Sequence, residues 1–229
     1  MNDIVYILKE GVEPDEIRYS LRSVCKNFPY KEVWFYGGKP EGITPDHYVE
    51  FRQKGMMPWE KVVSTIIEIC RNKEISDDFW LFNDDFFIMK KVEDMPPYYD
   101  KTLLRRIQQI EGRRGGAPSL YSTQLRRTRE ALVNEGYRTL NYAVHMPMLI
   151  NKKKALKVIM KYPKVSMFRS LYGNVYRVGG EQHTDVKIFD DKSPKKDVDF
   201  LSTTETSFRN CPVGEFIRER FPEKCKYED

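Results

Sequence analysis

Two adjacent carboxylates, Asp84 and Asp85, stand between apolar runs, with Phe79-Trp80-Leu81-Phe82 before them, Phe86-Phe87-Ile88-Met89 after them and Asn83 completing the polar triplet. Adjacent acidic oxygens at the carboxyl end of a buried strand suit a hard divalent cation, Mn²⁺ or Mg²⁺, that bridges substrate phosphates; in open α/β sheets ligands bind just beyond such strand ends. The ordinary alternative is a polar turn, because Asn and Asp hydrogen-bond their own backbone. Two acids with apolar flanks cost desolvation unless a cation offsets it, and this favours the metal reading.

Two of the three histidines sit in unusual settings. His145 lies in Asn141-Tyr142-Ala143-Val144-His145-Met146-Pro147, and His183 in Gly179-Gly180-Glu181-Gln182-His183-Thr184-Asp185. A neutral imidazole completes a metal site or binds a phosphate, although each is also readable as a hydrogen-bonded structural histidine. His183 is the candidate third metal ligand beside Asp84 and Asp85, since the glycines before it let its loop approach a ligand. His145 is the candidate on the acceptor or phosphate side. A general base for an acceptor hydroxyl is expected from a carboxylate, with Asp185 and Glu181 as candidates by neighbourhood.

Between Lys101 and Arg129 stand Lys101, Arg105, Arg106, Arg113, Arg114, Arg126, Arg127 and Arg129 against the one acid Glu111. Guanidinium forks bind phosphate bidentately, so Arg113 and Arg114, in the glycine-rich centre of this stretch, are acceptor or phosphate candidates. A solvated helix face is the competing reading. Lys39, after Gly37-Gly38, is a weaker phosphate candidate. The spacing there is neither GxGxxG nor GxxxxGK[ST], so no Rossmann or P-loop motif is present.

The elements that must position these residues follow from periodicity. Ile4 to Leu8 reads as a buried strand; Pro14 opens a helix whose Ile17, Leu21, Val24 and Cys25 share a face, and Asn27 and Pro29 stop it before a second strand at Lys31 to Tyr36. This βαβ start predicts a parallel sheet. A helix from Pro58 to about Asn72 precedes the all-apolar strand Phe79 to Phe82, expected to be central. Leu103, Leu104, Ile107 and Ile110 mark a helix broken at Gly112 to Pro118. A second helix is predicted over Thr123 to Glu135, an extended run over Tyr142 to Ile150, and an amphipathic helix over Lys152 to Tyr162. After Phe168 the helical pattern fades until Val213 to Arg220. The fold class expected is α/β, a mixed and mostly parallel sheet flanked by helices, in one domain over 1–229. Residues 1–100 carry the strand-end carboxylates, and 101–229 the basic helical stretch.

Hydrophobic residues make up 40% of the 229, too many for a disordered chain, and no apolar run reaches the length of a membrane span. The net charge of +5 is compatible with a phosphate-bearing ligand. Cys25, Cys70, Cys211 and Cys225 include no CxxC pair and are read as reduced, with Cys25 and Cys70 in the core. The start, Met1-Asn2-Asp3-Ile4-Val5-Tyr6, lacks a basic and then apolar leader, and a cytoplasmic location is expected.

Asp3-Ile4-Val5-Tyr6, Asp15-Glu16-Ile17-Arg18-Tyr19-Ser20-Leu21-Arg22-Ser23 and Phe82-Asn83-Asp84-Asp85-Phe86-Phe87 resemble the first blocks of the Stealth-type sugar-phosphate transferases and related glycosyltransferases with a GT-A-like fold. His145-Met146-Pro147 is loosely similar to a later block. The resemblance covers roughly the first hundred residues. It implies a nucleotide-sugar donor, a divalent cation at Asp84 and Asp85, and transfer of a sugar or a sugar 1-phosphate. By that analogy Arg18 and Arg22 lie near the donor side or support its loop, and Tyr6, Lys39, Asn83 and Asp84 are donor-side candidates. Residues 1–100 then form the nucleotide-sugar and metal half, with 101–229 a basic helical insert and the acceptor side. The chain is similar too to small virus-encoded enzymes that decorate DNA bases, which makes DNA, held by 101–129, an acceptor beside glycans. A non-catalytic nucleic-acid-binding module is the remaining reading.

Overall fold

β1 (Asp3–Leu8) is buried along nearly its whole length, as its apolar run requires, and α1 (Pro14–Asn27) crosses over to β2 (Val33–Gly37). Pro14 opens α1, with Asp15 and Glu16 at the positive end of its dipole. The computed structural model describes residues 1–165, 167–190, 193–194 and 197–229. β3 (His47–Glu50) follows, then α2 (Pro58–Arg71), β4 (Asp78–Phe82), β5 (Phe86–Ile88), β6 (Tyr98–Tyr99), α3 (Leu103–Gly112) and α4 (Leu120–Val133). The rest of the chain gives β7 (Met148–Asn151), α5 (Lys152–Lys161), α6 (Phe168–Val175), β8 (Glu181–Gln182), β9 (Lys187–Ile188), β10 (Phe200–Thr203), α7 (Glu205–Asn210) and α8 (Pro212–Arg220).

The main sheet has the order β3-β2-β1-β4-β7. Its first four strands are parallel and β7 runs antiparallel to β4, so the sheet is mixed and mostly parallel. From β1 the chain builds outward to β2 and β3, then returns to place β4 on the other side of β1. The topological switch point therefore lies between β1 and β4, where open α/β sheets bind ligands. A smaller sheet, β5-β10-β9, and a parallel pair, β6-β8, each join a strand that precedes β7 to strands that follow it.

Strand alternation divides the core between the two sheet faces. Val5, Trp34, Tyr36, Phe79 and Leu81 point to one side, with Ile66 and Ile69 of α2 and Val158 of α5. Ile4, Tyr6, Leu8, Phe35, Trp80 and Phe82 point to the other, against Ile17, Leu21 and Val24 of α1. A third cluster, Phe87, Met89, Leu201, Phe208, Val213 and Ile217, fastens the small sheet to α7 and α8. Gly37 and Gly38 belong to this construction: a Cβ on either would lie 2.1 Å from the carbonyl oxygen of Leu8 or Lys9. The glycine pair before Lys39 thus permits close approach of β1 and the end of β2, which explains it without a phosphate.

The structure departs from the sequence reading where burial is two-sided or partial. β3 comes from a stretch that reads as irregular because an edge strand with alternating half-buried and exposed residues carries little apolar signal. α6 buries Phe168, Ser170, Leu171, Tyr172, Gly173 and Asn174 together, so it shows no amphipathic stripe, and Ser, Gly and Asn lower its helical propensity. Of the run expected to be extended from Tyr142, only β7 is a strand. The 142–147 segment is held by side chains, with Tyr142 N donating to Ser170 Oγ (3.1 Å) and Ala143 N to Asn141 Oδ1 (3.2 Å). α4 begins at Leu120, earlier than periodicity suggests, because Ser119 caps it. Cys70 is buried and Cys25 half-buried; all four thiols are free.

The C-terminal segment is tied to α1 by charge. Arg22 donates through Nε and Nη2 to the two carboxylate oxygens of Glu228 at 2.7 and 2.6 Å, and through Nη1 to the Phe221 and Pro222 carbonyls. Arg18 joins Glu228 at 3.1 Å. The Glu228 side chain is fully covered, and although burial opposes its ionisation, the two guanidiniums and the Cys225 N–H hold it down at about 2. The donor-side roles expected of Arg18 and Arg22 are thereby corrected: both hold the end of the chain. Among the described residues no helix is long and apolar enough to cross a membrane.

Candidate functional site

Asn83, Asp84 and Asp85 form the tight connection between β4 and β5, with Phe86 N donating to Asn83 O at 3.4 Å. The turn reading of the triplet is correct in geometry, yet its charges are not those of a solvated turn. Asp85 is buried; its Oδ2 accepts from Lys187 Nζ at 2.5 Å and from Ser202 Oγ at 3.1 Å. Its Oδ1 is buried without a hydrogen-bond partner. Burial and then the Asp85 charge push the Asp84 carboxyl up to about 6. Glu16, at the start of α1, is raised by burial and by both aspartates to about 7, although Thr203 Oγ1 donates to it at 2.6 Å. Three carboxylates therefore crowd the end of β4, with Lys187 in contact and Lys9 acting from farther away.

Beside this acid cluster lies a histidine set by a carboxylate. His145 Nδ1 is 2.7 Å from Asp185 Oδ1, which also accepts from the His145 and Lys187 backbone N–H groups at 3.3 Å. Asp185 Oδ2 faces Arg106 Nη2 at 3.7 Å. His145 and its protons lower Asp185 below its ordinary value in spite of burial. Because an ionised carboxylate can only accept, it holds the proton on Nδ1 and leaves the lone pair on Nε2. Arg169, from α6, donates to the Met146 carbonyl and, at 3.3 Å, to that of Leu81, so it fastens the His145 segment to β4. Its guanidinium lies 5.3 Å from the Phe86 ring centroid, and burial lowers it to about 10 while Asp85 opposes the shift.

A cleft of about 690 Å³ opens at the carboxyl ends of β1 and β4, at the switch point. Asn83 and Asp84 form part of its wall, and Lys9, Arg52 and Lys61 bring positive charge to it. Arg52 and Lys61 have no ion-pair partner among the described residues, which leaves their charge available to phosphate.

No protein-family profile matches the chain, and no curated protein matches it in sequence. Solved structures match it in shape. An active-site mutant of LgtC aligns over 98% of both chains with TM-score 0.50 at 11% identity. The galactosyltransferase LgtC in complex with donor and acceptor sugar analogs aligns over 99% of this chain and 98% of its own, with TM-score 0.48 at 12% identity. The apo form of mouse xyloside xylosyltransferase 1 covers 99% of this chain and 95% of its own, with TM-score 0.38 at 9% identity. The fold is that of GT-A glycosyltransferase structures.

The expected site residues divide into those the fold gathers and those it does not. Asp84, Asp85, His145 and Asp185 converge around the β4 terminus, with Asn83 and Asp84 in the cleft wall. Tyr6 is fully buried, its hydroxyl hydrogen-bonded to Ser20 Oγ at 2.9 Å, so the donor-side expectation for it is corrected to a core role. Lys39 is exposed, its Nζ 5.7 Å from the Tyr48 ring centroid, and it does not line the cleft. Arg113 and Arg114 are exposed at the end of α3, also away from the cleft. Glu181 is exposed on β8, and the His183 ring packs at 5.4 Å on Tyr98 with Nδ1 2.6 Å from the Thr184 carbonyl. Among the described residues no three His, Cys, Asp or Glu side chains converge as a metal-holding group, so His183 does not join Asp84 and Asp85.

A divalent cation fits these residues as a two-carboxylate site. The unpartnered Asp85 Oδ1 and the elevated Asp84 both call for positive charge, while Mg²⁺-type sites commonly take one or two carboxylates and draw their other oxygens from water and substrate phosphate. Glu16, Arg169 and Lys187 are not among the site residues expected from sequence, and Arg106 is expected only as one of the basic residues of 101–129. Arg169 in Met167-Phe168-Arg169-Ser170-Leu171 and Lys187 in Val186-Lys187-Ile188 are lone cations inside apolar runs, and that was the available signal.

Proposed function

We propose that this chain is a glycosyltransferase that moves a sugar from a nucleotide-sugar donor to an acceptor hydroxyl, with Asp84 and Asp85 holding Mn²⁺ or Mg²⁺. The observation that carries the reading is the cleft at the β1/β4 switch point, where cationic Lys9, Arg52 and Lys61 face the same opening as Asp84. A cation held by the two aspartates would neutralise the charge on the departing diphosphate. Lys9, Arg52 and Lys61 bind the donor phosphates, and Asn83 hydrogen-bonds the donor beside them.

His145 Nε2 accepts the proton of the acceptor hydroxyl, and Asp185 acts through His145 by fixing its tautomer and orientation. Arg106 balances the Asp185 charge, and Arg169 keeps the His145 segment at the strand end. In this arrangement Asp185 is a positioning residue. The exposed Arg105 of α3, Arg113 and Arg114 after it and Arg127 of α4 suit a polyanionic acceptor such as DNA over a neutral glycan.

The test is incubation with a panel of nucleotide sugars and Mn²⁺, followed by identification of the nucleotide released. A nucleoside diphosphate supports sugar transfer. A nucleoside monophosphate assigns the Stealth-type alternative, transfer of sugar 1-phosphate. Release of neither from any donor, with salt-sensitive DNA binding unaffected by Mn²⁺, makes the chain a binding module and overturns the proposal.

A further inference from the structure

A second concave site lies away from the β4 terminus, where the C-terminal ends of α4 and α6 meet. It encloses about 440 Å³, with Arg138 and Arg177 at its rim and Tyr142 and Asn174 in its wall, and no carboxylate lines it. Its floor is fixed. The Tyr142 ring lies against Gly173 so closely that a Cβ there would be 2.5 Å from a ring carbon, and the Tyr142 hydroxyl donates to Gly179 O at 2.8 Å. The Asn174 amide is fully engaged, with Oδ1 accepting from Leu140 N and Nδ2 donating to the Leu140 and Ser170 carbonyls.

The two helices end in the same way but with different residues. At α4, Tyr137 N donates to Leu132 O and Gly136 N to Val133 O, both at 3.0 Å, with Gly136 in the left-handed region at φ 71. At α6, Val178 N donates to Gly173 O at 3.0 Å and Arg177 N to Asn174 O at 3.2 Å, and the left-handed position is Arg177, at φ 49. Both are the glycine-type helix termination. Among the described residues every other positive-φ position is a glycine, so Arg177 alone places a long side chain where the backbone favours none. Such an outlier points to a use for the side chain.

An arginine after a helix can simply complement the dipole or bond the terminal carbonyls. Here neither guanidinium donates a hydrogen bond or forms an ion pair among the described residues. We propose that Arg138 and Arg177 form a binding site for the phosphate group of a small phosphate monoester, separate from the Asp84 and Asp85 centre. Two unpaired guanidiniums at a concave, carboxylate-free pocket match the charge of a phosphate dianion, and each fork can bind phosphate oxygens bidentately. The pocket's volume accommodates a phosphorylated sugar or polyol, whereas a duplex would track an exposed stripe.

The test is calorimetric titration of the full chain, without divalent cation, using inorganic phosphate and ribose 5-phosphate as probes. Wild type and Asp85→Asn are expected to bind alike, and Arg177→Gly and Arg138→Gln to bind at least tenfold more weakly. Arg177→Gly should keep or raise the melting temperature, since glycine suits the position, so lost binding cannot be assigned to misfolding. Absent binding by wild type overturns the site, as does undiminished binding in both arginine variants. Loss of binding in Asp85→Asn overturns it too, by placing the phosphate at the transfer centre. Duplex DNA binding without binding of either small probe also counts against it. None of these outcomes depends on whether sugar transfer is found.

Discussion

Two buried ionic knots of opposite balance flank α1. At the Glu228 knot one carboxylate meets two guanidiniums, every oxygen is bonded and the group is held down at about 2. At the β4 terminus Asp84, Asp85 and Glu16 share one contacting ammonium, Asp85 Oδ1 is unbonded, and Asp84 and Glu16 are raised to about 6 and 7. The first arrangement is complete within the protein and fastens the chain end. The second has more carboxylates than contacting cations, an imbalance common at functional sites, and it supports the proposed cation site at Asp84 and Asp85. Burial alone does not separate the two, since Glu228 and Asp85 are both covered.

Substitution at Asp85 has the largest expected effect. Asp85→Asn is expected to lower transfer by roughly 10³-fold while the protein still melts cooperatively, because the loss falls on transition-state charge and an Asn oxygen still accepts from Lys187. An activity assay paired with a thermal melt checks this. Glu228→Gln should do the reverse: a destabilisation of about 3 kcal/mol in denaturant unfolding, as Arg22 is left buried without its counter-charge, with kcat per folded molecule unchanged. His145→Gln should lower kcat by about 10²-fold, and Asp185→Asn should follow it with little change in KM, as steady-state kinetics would show.

Smaller in size but opposite in sign are the pH responses. The raised carboxyls of Asp84 and Glu16 bind protons more tightly folded than unfolded, so they favour the fold below about pH 4 and withdraw that support as pH rises through 6 and 7. Glu228 is lowered, so its contribution is present above about pH 4.5 and is lost as pH falls toward 2. Asp84→Asn should therefore gain on the order of 1 kcal/mol relative to wild type between pH 5 and 7.5. Added Mn²⁺ should remove that gain by favouring the ionised aspartates in wild type. Chemical denaturation across pH measures both.

Much of the main sheet was legible because its strands are short apolar runs punctuated by Pro, Gly and Asn, and because Asn83-Asp84-Asp85 interrupts such a run. The partners of those aspartates were not. Lys187 reaches Asp85 across 102 residues of chain, and Arg169 reaches Leu81 across 88, from elements whose own patterns are weak. Glu16 sits in the first turn of α1, where the helix dipole favours an acid, and this ordinary placement hides its share in the strand-end cluster. Tyr6 and Arg18 stand within segments that resemble a family, yet one side chain faces the core and the other the chain end. Local sequence located the strand-end carboxylates, while their charge balance emerged only from tertiary packing.

The most direct measurement is calorimetric titration of Mn²⁺ into wild type and Asp85→Asn, each with and without a panel of nucleoside diphosphates. In wild type one nucleotide and Mn²⁺ are each expected to strengthen the other's binding, and Asp85→Asn to lose at least tenfold in Mn²⁺ affinity. Equal Mn²⁺ affinity in the two proteins, or no binding with any nucleotide, would contradict this expectation.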